Sequence, residues 1–193
     1  MWLRIRHSGL AYATIAAIHQ DREGAMGCDI HAHLELIDRP AIHVARFDLP
    51  RNYSLFSLLA GVRSDPREMQ GFEPVYEPRG LPAHISSTVS EACTYAIDDE
   101  LAALEVDGYG SREDAQRWIA NGNATYCDST YERITDPDWH SVSWLVCDEL
   151  QAIDTRYQRL TDERDPWLAA IIGAMSAFGE QQRPSRLVFW FRG

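Results

Sequence analysis

From Cys28 to Leu36 apolar and polar residues alternate, with Cys28, Ile30, Ala32, Leu34 and Leu36 on one side and Asp29, His31, His33 and Glu35 on the other. That is the period of a half-buried strand. Asp38-Arg39-Pro40 reads as a turn, and Ala41 to Phe47 returns as a second strand. The pair predicts a β-hairpin that brings His43 near the first strand. After Asn52, a candidate N-cap, Leu55, Leu58, Leu59 and Val62 recur at helical spacing before Gly61 helps to end the helix.

Residues 63–85 carry Pro66, Gly71, Pro74, Pro78, Gly80 and Pro82, which predicts a long ordered loop. The stripe Val89, Cys93, Ala96 or Ile97, Leu101 and Leu104 predicts one helix. Ser111-Arg112-Glu113-Asp114 then opens another, which Asn121-Gly122 stops. A polar connection leads to Asp138-Trp139-His140-Ser141, after which Val146, Leu150, Ile153, Tyr157 and Leu160 trace a helical stripe. Asp165-Pro166 begins a last helix with a wide apolar face, and Leu187 to Phe191 closes the chain as a β-rich run. The fold class expected is α+β, with a small, mostly antiparallel sheet made of the N-terminal hairpin and the C-terminal strand. Helices on one face of that sheet would leave the Asp29, His31, His33 and Glu35 side partly open.

A chain of 193 residues fits one domain with a core of useful size. We expect that domain to run from residue 26 to 193. Residues 1–25 are expected to be a non-native or disordered extension, because Met26 directly precedes Gly27-Cys28-Asp29 and offers a start of translation. Within the extension Arg4, Arg6 and His7 precede a short apolar run, a faint imitation of a secretory signal that is too short to span a membrane. Cys28, Cys93, Cys127 and Cys147 contain no C-x-x-C pair, so reduced cysteines and a cytoplasmic location are expected. A net charge of -11 counts against general nucleic-acid binding but still allows a local basic pocket. All 18 basic residues are arginine, which reads as codon bias.

Asp-x-His-x-His-x-Glu on a strand spaces ligating groups about 6 to 7 Å apart along one face. Such groups suit a divalent ion, zinc or manganese, and the acid-base steps of a hydrolytic centre. The competing reading is the wet face of an edge strand, with Glu35 and a histidine paired across it. His33-Leu34-Glu35 also matches half of a zinc-deaminase signature, but no Pro-Cys-x-x-Cys half follows. His140, in a polar loop, is a candidate third metal ligand beside Asp29 and His31, or a proton donor. Ser141 or Ser143 would cap the next helix, whose first N–H groups suit an anion. Arg51 precedes the first helix, Arg63 follows it, and Arg79 sits between prolines in Glu77 to Pro82, where held guanidinium groups suit phosphate or carboxylate; pairing with the abundant acids is the alternative.

Taken together, Gly-Cys-Asp-Ile-His, Arg51 to Arg63, Glu77-Pro78-Arg79-Gly80-Leu81-Pro82, His140-Ser141-Val142-Ser143-Trp144-Leu145 and Leu187 to Phe191 resemble, in register, a family of small bacteriophage and prophage proteins. The resemblance implies an accessory protein of the host cytoplasm and no particular reaction. It marks Cys28, Asp29, His31, Arg51, Tyr53, Arg63, Glu77, Arg79, His140, Ser141 and Trp144 as motif positions. The ending Arg192-Gly193 and the extension before Met26 depart from that pattern.

The function expected from these readings is metal-assisted hydrolysis of a phosphorylated, nucleotide-like substrate. Asp29, His31 and His140 would hold the metal. Glu77 or Glu35 would orient water beside His140, and Arg51, Tyr53, Arg63, Arg79 and Ser141 would hold substrate. The alternative is a non-enzymatic phage protein that binds a nucleotide signal or a host protein.

Overall fold

A computed structural model describes residues 27–62, 70–127 and 129–193. The expected extension and Arg63 lie outside them. The hairpin forms as β1 (Asp29–Leu36) and β2 (Ile42–Asp48), antiparallel, with a register shift between Leu34 and Glu35. Helix α1 (Tyr53–Ala60) starts where Asn52 Oδ1 accepts the Leu55 N–H at 3.1 Å and ends at Gly61, in the left-handed region at φ 69°. The Asn52 amide also donates to Tyr157 Oη and to Asp165 Oδ2, tying this cap to two later helices.

The single helix expected from Val89 to Leu104 is instead α2 (Ser87–Cys93), β3 (Thr94–Ile97) and α3 (Asp99–Ala103). Thr94-Tyr95-Ala96-Ile97 is β-branched and aromatic, and Asp98 caps α3 by accepting from the Glu100 and Leu101 N–H groups. Tertiary pairing therefore overrode the helical spacing. Strand β3 joins β4 (Tyr109–Gly110) and β5 (Arg133–Thr135) in a second sheet that the sequence did not announce, and α4 (Arg112–Ala120) lies between those two strands in the chain.

The polar connection before the next helix is also a strand, β6 (Trp139–Val146), so Ser141 and Ser143 are strand residues and cap nothing. Helix α5 (Cys147–Thr161) begins after Val146, whose N–H is accepted by Glu149 at 3.0 Å. Helix α6 (Pro166–Glu180) is capped by Asp165, as expected, and β7 (Ser185–Arg192) ends the chain.

The larger sheet has the order β2-β1-β7-β6 and is antiparallel throughout. Along β7, Leu187, Phe189 and Phe191 pack with Ile30, Ala32 and Leu34 against α1, α5 and α6. Val188 and Trp190 point the other way, onto Val89 and Cys93 of α2. A central strand covered on both faces needs an unbroken apolar run, and Leu187 to Phe191 supplies it. The Asp29 to Glu35 side is therefore not open along its length. His33 and Glu35 are 3% and 0% exposed beneath the second layer. Among the described residues no helix is long and apolar enough to cross a membrane.

Candidate functional site

Strand pairing decides where the expected site residues point. Asp29 pairs with Arg192 and His140 pairs with Phe191, neighbours on β7 whose side chains leave opposite faces of the sheet. His140 accordingly stacks near the Phe191 ring, 6.0 Å between centroids, while His31 stacks on Trp190 across the sheet. Asp29 and His140 border one cleft around the end of the sheet, but the set Asp29, His31 and His140 does not converge from one face. Among the described residues no three His, Cys, Asp or Glu side chains are placed to share a metal ion.

The remaining expected groups are largely engaged by the fold. Arg51 clasps Asp29 through Nε and Nη2 at 2.7 and 3.1 Å, which holds the Asp29 carboxyl below the usual range. A Cβ at Gly27 would lie 2.0 Å from the Arg51 guanidinium, so a side chain there would push the clasp aside. Arg79 donates twice to Glu149, at 2.6 and 3.1 Å, and its guanidinium lies over Tyr76 and Trp144. The Arg79 N–H donates to Ser143 Oγ and the Gly80 N–H to the Val142 carbonyl. The proline-rich segment thus fastens edge strand β6. Glu35 forms a buried ion pair with Arg186. Tyr53 packs edge-on to Phe56 at the start of α1, and Glu77 sits exposed in its loop.

A different group assembles between the two sheets. Trp139, His31, Trp190 and His33 form a tier of near-parallel rings, with centroids 4.9 to 5.8 Å apart. They floor a cleft of about 400 Å³. Arg46 and Arg192 stand on the larger-sheet wall; Glu91, Asp107 and Asp136 stand on the opposite wall, with Asp138 and Tyr95 beside them. Behind the tier His33 Nδ1 lies 3.1 Å from His43 Nε2.

Four groups at this cleft titrate away from their ordinary values, and burial is the main cause for each. The His31 imidazole is pushed down by burial, assisted by Arg46 and Arg192. His33 falls to about 4, through burial and then the neighbouring His43. Burial raises the Asp136 carboxyl and the Tyr95 phenol. Shifts at Asp29 and Asp114, by contrast, come first from hydrogen bonds that accompany ion pairs or caps. Burial-driven shifts gathered in a concave site mark a candidate binding or catalytic centre.

Among the described residues chosen from sequence, His31 and His33 line this cleft. Arg46, Tyr95, Asp136, Trp139, Trp190 and Arg192 were missed. Trp190 lies inside the β-rich run Leu187 to Phe191, which read as core, and Trp139 stands beside His140 in the polar stretch that drew attention only for its histidine. Comparisons with protein-family models, with curated proteins and with solved structures each find no match.

Proposed function

We propose that this is a phage-type accessory protein, acting in the host cytoplasm, whose inter-sheet cleft binds a small phosphorylated, nucleotide-like ligand. The phage assignment rests on the motif resemblance. The ligand class rests on one observation: the cleft is lined by stacked aromatic rings, by Arg46 and Arg192 of the larger sheet, and by carboxylates. A base would lie against the Trp139 and His31 rings. Phosphate would face the arginines, and hydroxyl or amino groups would face Asp107 and Asp136.

The two arginines retain capacity for a ligand. Among the described residues Arg46 meets Asp48 at 3.1 Å, and Arg192 stands 3.7 Å from Asp138, both on the surface. Exposed ion pairs of this kind are weak and exchange readily for a phosphate.

Calorimetric titration with nucleoside mono-, di- and triphosphates tests the reading. Arg46→Ala and Arg192→Ala are each expected to weaken binding by about 10- to 100-fold, the worth of a charge-assisted contact. Unchanged affinity in both variants, or no binding by the intact protein, would refute it. Turnover is the second reading, favoured by the place of the His31 imidazole on the cleft floor, within reach of a bound ligand. Release of inorganic phosphate that disappears in His31→Gln would distinguish a hydrolase from a binder.

A further inference from the structure

Toward the end of the sheet, β6 carries an irregularity that the nucleotide cleft does not use. His140 pairs with Phe191 and Ser143 with Phe189, so one extra residue is inserted in β6. Within this bulge Ser141 is held at φ 54°, a left-handed conformation that a serine seldom adopts. The bulge turns the Ser141 hydroxyl to 3.1 Å from His140 Nδ1. Bulges that re-aim a side chain, and non-glycine residues held in this region, gather at functional sites.

The surroundings suit a reacting serine. His140 and Ser141 lie where two clefts meet. One, of about 510 Å³, is lined on its apolar side by Pro78, Leu81, Ala124, Tyr126 and Val142. The other, about 1030 Å³, is polar around Asp29, Asp138 and Arg192. The Pro78 to Leu81 segment is fixed at its middle by the Arg79 and Gly80 contacts to β6, so the apolar wall is preorganised.

We infer that Ser141 and His140 form a nucleophile and base pair that hydrolyses esters with a small apolar acyl group. The acyl chain occupies the cleft beside Leu81 and Tyr126, and the polar alcohol leaves through the cleft beside Asp29. In the first step Ser141 Oγ bonds to the ester carbonyl carbon, and its proton passes to His140 Nδ1. The carbon–alkoxy bond then breaks, and the leaving oxygen takes that proton. Water, deprotonated by His140, then bonds to the acyl carbon, the carbon–Oγ bond breaks, and Ser141 Oγ takes the proton back from His140 as the acid leaves.

A fluorophosphonate probe tests this on the intact protein, since attack forms the serine–phosphorus bond and expels fluoride with the proton. The expected result is a single adduct located at Ser141 by mass spectrometry, with p-nitrophenyl acetate hydrolysed and both reactions abolished in Ser141→Gly. Glycine suits the left-handed backbone, so this variant is expected to fold at least as well as the parent. His140→Ala should slow labelling by about 100-fold or more, the usual worth of a positioned base. An unlabelled parent protein, labelling that survives Ser141→Gly, or equal labelling rates in His140→Ala would overturn the assignment. Nucleotide affinity is read separately, so failure here leaves the inter-sheet cleft untouched, and the converse holds.

Discussion

Replacing Glu35 with alanine is expected to lower stability by about 3–5 kcal/mol, the cost of leaving a buried charge unpaired. Arg186 reaches Glu35 Oε2 through Nε and Nη2 at 3.0 and 2.9 Å, and the two residues are 5% and 0% exposed. The other carboxylate oxygen accepts the Ser86 N–H at 2.8 Å, while Ser86 Oγ caps α2 through the Val89 N–H. Truncation would strand a guanidinium and a backbone donor and loosen the helix that carries Glu91 and Ala92 of the cleft. Among the described residues Arg186 would keep the Ala83 and His84 carbonyls as acceptors. Urea denaturation measures the loss. The paired change Glu35→Leu with Arg186→Met should recover most of it, because two apolar groups leave no charge behind. A loss under about 1 kcal/mol in Glu35→Ala would mean that the ion pair is not desolvated as described.

The second large effect is on acid stability. His33 is 3% exposed, packed on Trp190 and faced by His43, Arg46, His31 and Glu35, and its folded value is about 4 against an ordinary 6.5. A base whose folded pKa is depressed binds protons more readily when unfolded. Stability from this group is therefore complete above pH 6.5 and falls as the pH drops from about 6.5 to 4, with no further loss below. The shift corresponds to a loss on the order of 3 kcal/mol. His31 is shifted in the same direction, whereas Asp136, raised by burial, acts in the opposite sense. Chemical denaturation between pH 7 and pH 4 is expected to show this slope in the parent and a much flatter one in His33→Phe, which keeps the stack on Trp190 without a titrating ring. Parallel slopes in the two proteins would assign the loss to other groups.

How much of this was legible in the sequence depended on whether the signal was local. Capped, strongly periodic segments formed where expected: Asn52 before α1, Ser111 before α4 and Asp165 before α6 all accept the expected backbone N–H. Alternation correctly placed Asp29, His31, His33 and Glu35 on one face of β1. Alternation alone could not reveal what covers that face. The cover comes from α2 and from a sheet whose strands, Thr94–Ile97, Tyr109–Gly110 and Arg133–Thr135, are too short to carry a periodic pattern. The side of the sheet on which His140 falls depended on its pairing with Phe191, fifty-one residues away, and on a bulge with no sequence mark. Charged residues posed a related difficulty. Arg51, Arg79 and Glu35 looked like site groups by type, and each is matched to a partner distant in sequence.

Ligand seating in the inter-sheet cleft is read most directly from histidine side-chain nuclear magnetic resonance during titration with a nucleoside 5′-monophosphate. His31 lies at the cleft floor, while His84 and His140 lie outside it. Saturable shifts of the His31 ring signals, with those of His84 and His140 unmoved, are the expected result. A His31 spectrum unchanged at millimolar nucleotide, or shifts confined to His140 or His84, would contradict the proposed site.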